Sequence, residues 1–125
     1  MQKTWTKICG ITRAQDALAA ADLGADAIGL NFYPKSPRAI GVADVANLVE
    51  GLPQKVSVVA LFVNPTPQLV RQVLETGGVD LLQFHGSESA EFCEQFDTPY
   101  MKVVAVKAGS DLNSEFAKYE SAQYM

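Results

Sequence analysis

A chain of 125 residues with 48% hydrophobic residues has the length of one domain and enough apolar content for a buried core, which excludes wholesale disorder. Ten basic against 14 acidic residues give a net charge of −4, which argues against a general nucleic-acid or anionic-membrane binder and leaves room for a local basic loop. Only two cysteines, Cys9 and Cys93, and one histidine, His85, are present. They make no CxxC pair and no metal-ligand cluster, so neither a zinc site nor a disulfide framework is expected. The chain opens on no charged-then-apolar signal segment and has no apolar run near ~18 residues. A cytoplasmic protein with free thiols is the expectation.

Two patterns alternate along the chain. Near-continuous apolar runs at Trp5–Ile11, Asp26–Tyr33, Val56–Val63, Val79–His85 and Met101–Val106 read as parallel strands covered on both faces. Helical stretches separate them. Thr12 and Gln15 read as a capping box before a first helix whose apolar side is Leu18, Ala21 and Leu23, with Gly24 as its stop. A second helix carries Val42, Val45, Ala46, Leu48, Val49 and Leu52. A third starts with Thr66 as N-cap and Pro67 at the first helical position, buries Leu69, Val70, Val73 and Leu74, and ends at Gly77–Gly78. A fourth carries Phe92, Cys93 and Phe96, and a weaker fifth lies around Leu112, Phe116 and Tyr119. "LGADAIGL" and "GGVDLLQF" form a faint repeat of the βα unit, and no linker interrupts the order.

Strands joined by helices run parallel through right-handed crossovers. Two α/β architectures use such units. Five βα units complete an open doubly wound sheet, whereas a (β/α)8 barrel needs three more. Length alone favours the open sheet.

In either architecture ligands meet the carboxyl ends of the strands. Those ends hold Cys9–Gly10, Asn31 with the loop "FYPKSPR", Asn64–Pro65, Gln83 and His85 on one face, and Lys107. A thiol, an amide, an imidazole and a basic loop at one rim point to a small-molecule site. Cys9 reads either as a small buried hydrophobe or as a general base or nucleophile. It shares a strand face with Lys7, and a nearby cation or helix start favours a thiolate. Cys93, between Phe92 and Phe96, reads as core. The prolines around Lys35 and Arg38 stiffen their loop, and Arg38 can fork onto a carboxylate or phosphate. His85 reads as a ligand-positioning group. Asp26 and Asp80 precede their strands and belong to the opposite, stabilising end. A phospho-receiver domain would need acidic groups where Cys9–Gly10 and Asn64 stand, and a flavin-binding sheet would need a phosphate loop that "CGITRA" does not provide.

"KICGIT", "GADAIGLNFYPKSPR", "ALFVNPT" and "LLQFHG", in this order and spacing, closely resemble the phosphoribosylanthranilate isomerase family of tryptophan biosynthesis, from about residue 6 to the end of the chain. The resemblance implies a cofactor-free (β/α)8 barrel, of which this chain carries about the first five βα units in one domain spanning 1–125 and stopping before strand 6. It implies an Amadori rearrangement of N-(5-phosphoribosyl)anthranilate to 1-(2-carboxyphenylamino)-1-deoxyribulose 5-phosphate. Cys9 takes the place of the general base, and Arg38 that of the carboxylate clamp. Gln83, His85, Lys7 and Asn31 are carried over as substrate contacts. The family's general acid, an aspartate ending strand 6, and its phosphate-binding turns after strands 7 and 8 have no match; Asp111 does not fit. The expectation is a fragment inactive alone, self-associating or completed by a C-terminal half-barrel. The alternative is a non-catalytic five-unit module that binds a small anion through Arg38, Lys35 and Lys107.

Overall fold

The computed structural model describes residues 4–103, 118, 119 and 122. Five strands form one sheet: β1 (Lys7–Ile8), β2 (Ala27–Asn31), β3 (Ser57–Phe62), β4 (Leu81–Phe84) and β5 (Tyr100–Lys102). Four helices lie between them: α1 (Ala14–Asp22), α2 (Val45–Val49, entered through a 3-10 turn at Val42–Asp44), α3 (Pro67–Glu75) and α4 (Ala90–Glu94). Every strand pair is parallel, and the sheet order is β1-β2-β3-β4-β5. That order decides between the two architectures. A doubly wound sheet reverses its strand order at a switch point, whereas here each crossover steps to the next position in the same direction. The fold is α/β of the (β/α)8 barrel type, represented by five consecutive units, and the length argument for an open sheet gives way.

Strand alternation splits the apolar residues into two layers. Ile28, Leu30, Val58, Ala60, Phe62, Leu82, Phe84 and Tyr100 face the helices and join the large core with Ala17, Ala20, Val45, Leu48, Val70, Val73 and Cys93. Ala27, Val59, Leu81 and Met101 make a small second cluster on the other face. Phe32, Phe62 and Phe84 stack in a row, with ring centroids 5.5 and 6.0 Å apart, and Phe92, Phe96 and Tyr100 surround Phe84. At the amino ends, Asp26 accepts a hydrogen bond from the Thr6 amide at 2.8 Å and Asp80 one from the Val58 amide at 2.9 Å. The two aspartates thus serve the stabilising end of the sheet, as expected from their positions before the strands.

Several local expectations hold. Thr66 caps α3 by accepting from the Leu69 amide at 3.2 Å, with Pro67 at the first turn. Gly24 leaves α1 at φ +91, a conformation that costs little only without a Cβ. The first helix differs in two ways. Its N-cap is Arg13 without a side-chain cap bond, so Thr12 and Gln15 form no capping box. Its buried face is Ala17, Ala20 and Ala21, while Leu18 is 39% and Leu23 89% exposed. Alanines at this spacing form one stripe, and Leu23 falls at the C-cap, beyond the last turn. Ala46 is exposed in α2, whose buried residues are Val45 and Leu48. The first strand is two residues rather than seven: among the described residues it pairs only with β2, and Gly10, at φ +75, turns the chain away. The expected end of the fifth strand at Val106 and helix residues Leu112 and Phe116 lie outside the described residues.

The alanine face of α1 leads to a direct test. Leu23→Ser should change unfolding free energy by less than about 0.5 kcal/mol, as for an exposed site. Ala17→Leu, by contrast, should cost about 1–3 kcal/mol through overpacking. Urea unfolding of the two variants checks both, and the reverse ranking would contradict this packing.

Candidate active site

The pocket forms where the strands of four consecutive βα units end. In β1 and just beyond it, Lys7 and Cys9 point to the face opposite the helices; in β2 so do Gly29 and Asn31; in β3 and β4 and just beyond their ends the matching residues are Leu61, Val63, Gln83 and His85. All of these, with Gly10, Leu30, Tyr33, Ser36 and Arg38, line one cavity of about 490 Å³. The six residues singled out in the sequence, Lys7, Cys9, Asn31, Arg38, Gln83 and His85, are therefore brought together around a single space. Lys35 is exposed and does not line it, and Lys107 lies outside the described residues. Of the three cations expected to hold an anion in the module reading, only Arg38 is among the described pocket residues.

The thiol of Cys9 is exposed. Its neighbour across the ladder is Gly29, where an added Cβ would lie 3.3 Å from the Cys9 Cα and 3.6 Å from its Sγ. A side chain at position 29 would press on the Cys9 backbone and lie in contact with its thiol. Gly10 does the same service for Arg38. A Cβ at Gly10 would come within 2.5 Å of an Arg38 guanidinium nitrogen, so the guanidinium rests against the Gly10 backbone, one residue from the thiol. Gly29 was not singled out in the sequence, and Gly10 was named only as the residue beside Cys9. Gly29 did leave a signal, as a glycine in the middle of an apolar strand marks a close backbone approach.

The loop that carries Arg38 is stapled to the end of β2. Asn31 accepts from the Tyr33 amide through its side chain at 2.8 Å, and its carbonyl accepts from the Ile40 amide at 2.8 Å. Within the loop, Ser36 donates its amide to Tyr33 O at 3.0 Å and accepts from the Arg38 amide through its hydroxyl at 3.2 Å. Asn31 thus shapes the loop as well as lining the cavity. Lys7 donates to Gln83, a bond from the edge strand to β4 that spans the face over β2 and β3. Gln83 is 8% exposed and uses this partner at the pocket floor, while His85 is exposed at the mouth. Among the described residues, no carboxylate pairs with Arg38 and none lines the cavity. No group of three or more His, Cys, Asp or Glu gathers as for a metal ion among those residues.

The other cysteine behaves as core. Cys93 is fully buried in α4. Burial, which penalises the thiolate, pushes its thiol up from 9.0 to about 12; the Lys102 cation opposes the shift, and the charges of Glu88 and Glu94 add to it.

Strand order and pocket together define a barrel-type α/β protein with a cavity at the carboxyl ends of its strands, lined by a thiol and a guanidinium. Comparison with known proteins gives the family. A sequence model of the N-(5'phosphoribosyl)anthranilate (PRA) isomerase family matches residues 6–125. The N-(5'-phosphoribosyl)anthranilate isomerase of Neisseria gonorrhoeae is 49% identical over 123 residues, covering 98% of this chain and 59% of that protein. A crystal structure of phosphoribosyl anthranilate isomerase in complex with reduced 1-(o-carboxyphenylamino)-1-deoxyribulose 5-phosphate superposes with a TM-score of 0.82 at 36% identity, over 92% of this chain and 59% of that one. Monomers generated from the dimeric enzyme of Thermotoga maritima superpose with a TM-score of 0.85 at 34% identity, over 98% and 63%. The chain belongs to the phosphoribosylanthranilate isomerase family, and it spans about three fifths of the length of the relatives it matches.

Two measurements follow. In the native chain a thiol reagent should modify Cys9 quickly and reach Cys93 only on unfolding; two equally fast thiols would contradict the burial. The raised Cys93 value also sets a sign for alkaline stability. The folded chain keeps the proton that the unfolded chain loses near 9.0, so stability is full below that pH and falls as pH rises towards 12. Cys93→Ala should show less stability loss across this window than the wild-type chain, as read by thermal melts at successive pH.

Proposed function

We propose that this chain supplies the base and the carboxylate clamp of a phosphoribosylanthranilate isomerase, acting on N-(5-phosphoribosyl)anthranilate in tryptophan biosynthesis. The observation that supports this best is that the Cys9 thiol and the Arg38 guanidinium line one cavity, with the guanidinium seated on Gly10, the residue after Cys9. The two groups sit where a substrate carrying a carboxylate near a reacting carbon would need them.

The reaction is an Amadori rearrangement. Protonation of the ring oxygen opens the sugar, and the anilino nitrogen lone pair forms a C1=N iminium. The thiolate of Cys9 takes the proton from C2, and the electrons of that C–H bond form C1=C2 as the iminium is neutralised. The enol then becomes the C2 ketone as C1 gains a proton. Arg38 holds the anthranilate carboxylate by a forked pair of hydrogen bonds. His85, Lys7, Gln83 and Asn31 contact the substrate or shape its seat. The cationic iminium makes the C2 proton acidic, so a thiolate suffices as base.

The acid that protonates the ring oxygen and the phosphate seat are assigned to further strands. A (β/α)8 barrel would close by pairing β1 and β5 with them, and 1–125 is then the N-terminal part of one domain. The one-sided pairing of β1 and β5 among the described residues supports this. Completion comes from a C-terminal half-barrel or from association of copies. The Thermotoga maritima relative is described as dimeric. A cytoplasmic location suits the two free thiols, and no helix among the described residues is long and apolar enough to cross a membrane.

Turnover of freshly generated phosphoribosylanthranilate, followed as loss of its fluorescence, tests the reading with the chain alone and with a relative's C-terminal half added. Activity should need the added half. In that assembly Cys9→Ser should lower kcat by about 10²–10⁴, the range of general base catalysis, with a smaller change in KM. Arg38→Ala should raise KM more than it lowers kcat. A Cys9→Ser assembly with unaltered turnover would overturn the assignment of the base.

A further inference from the structure

The one carboxylate buried on the loop side of the sheet, among the described residues, is Glu88. It is 6% exposed and pairs with Lys102, 2% exposed, at 2.9 Å. Neither residue lines the substrate cavity. Their hydrogen bonds are distributed over three consecutive strand ends. One oxygen of Glu88 accepts from the Asn64 amide at 2.8 Å, just beyond β3. The other accepts from the Gly86 amide at 3.0 Å, just beyond β4, and from Lys102 Nζ in β5. Lys102 also donates to the Gly86 carbonyl at 2.6 Å. The ion pair therefore holds both polar groups of Gly86, the residue directly after His85.

Neighbouring contacts close the network. Asn64, at φ +46, accepts from the Ser87 amide and hydroxyl at 2.9 and 3.1 Å. Gly86 admits no side chain, because a Cβ there would lie 2.7 Å from the Asn64 side-chain oxygen. The Tyr119 hydroxyl donates to the Glu88 carbonyl at 2.8 Å, and its ring lies 5.3 Å from Lys102 Nζ. No polar side-chain atom buried among the described residues is left without a partner. A pair of buried charges brings little net stability over apolar residues of the same volume, so stability alone is a weak reason for it. Its geometry offers a stronger one.

We propose that Glu88 and Lys102 are positioning residues for the pocket rim: their ion pair clamps the Gly86 peptide and the Asn64 amide, and through them fixes where His85 and Val63 present themselves to the cavity. That His85 meets a substrate rests on the isomerase reading; the clamp does not.

His85 is the only histidine, so its imidazole gives one unambiguous NMR signal. Glu88→Gln should shift or split that signal while lowering Tm. Val73→Ala, in the core of α3, should lower Tm and leave the signal in place. The double variant Glu88→Gln/Lys102→Met removes both buried charges. It should recover Tm towards the wild-type value while the histidine signal stays displaced, since the Gly86 carbonyl has lost its donor. A signal that follows Tm in all three variants would reduce the pair to a structural role and overturn the proposal. If neither Glu88 variant folds, wild-type amide exchange decides it. Gly86 and Asn64 should exchange as slowly as His85, whose amide is bonded to Phe62 O in the sheet ladder at 2.9 Å. Fast exchange at those two amides would show that no clamp exists. None of these readouts needs substrate, so a failed turnover assay leaves them intact.

Discussion

The stack of Phe32, Phe62 and Phe84 governs the geometry of the rim. The three rings sit at the carboxyl ends of β2, β3 and β4 on the helix side, and Phe62 and Phe84 are register partners. Stacked aromatic pairs bring about 0.5–1.5 kcal/mol each beyond the area they bury. Strand alternation then dictates the other face. With Phe32 held against the helices, Asn31 must face the pocket; with Phe62 held there, Leu61 and Val63 must; with Phe84 held there, Gln83 and His85 must. A slip of one residue in any strand would bury the polar groups under the helices and expose the phenylalanines. The polar rim and the aromatic core thus express one register, seen from its two sides.

Much of this was legible in the sequence because its determinants are local. A strand of apolar residues, a Thr-Pro helix start and a glycine stop are each set within a few residues, and β3, α3 and the end of α1 follow them closely. The pocket residues were legible for a related reason: all parallel strands end at one rim, so residues at those ends meet whatever the sheet order. Periodicity did not give the order, since identical βα units build a doubly wound sheet or a barrel and only the direction of each crossover separates them; the barrel was expected from the family motifs alone. The face of α1 was misread because leucine outranks alanine in hydrophobicity, yet the site nearest the sheet admits only the smaller residue. Long-range seats were also beyond reach. Gly10 gains its meaning from Arg38, 28 positions on, and Glu88 from Asn64 and Lys102 on either side.

The two halves of the pocket are built differently. On one side, Cys9, Gly10, Asn31 and Arg38 belong to β1, β2 and the loop that follows, and that loop is tied back to Asn31 by its own hydrogen bonds. On the other side, His85 stands at a strand end whose next residue, Gly86, is bonded by Glu88 of its own loop and by Lys102 of the neighbouring strand. The bond from Lys7 to Gln83 joins the halves. Both side chains lie on the face that carries the thiol, so this bond ties the first strand to the fourth across the floor of the pocket. The side of the cavity that holds Cys9 and Arg38 is formed by the described strands and their loops alone. On the isomerase reading, whatever closes the barrel arrives across the opening between β1 and β5, towards a thiol that is already exposed to receive it.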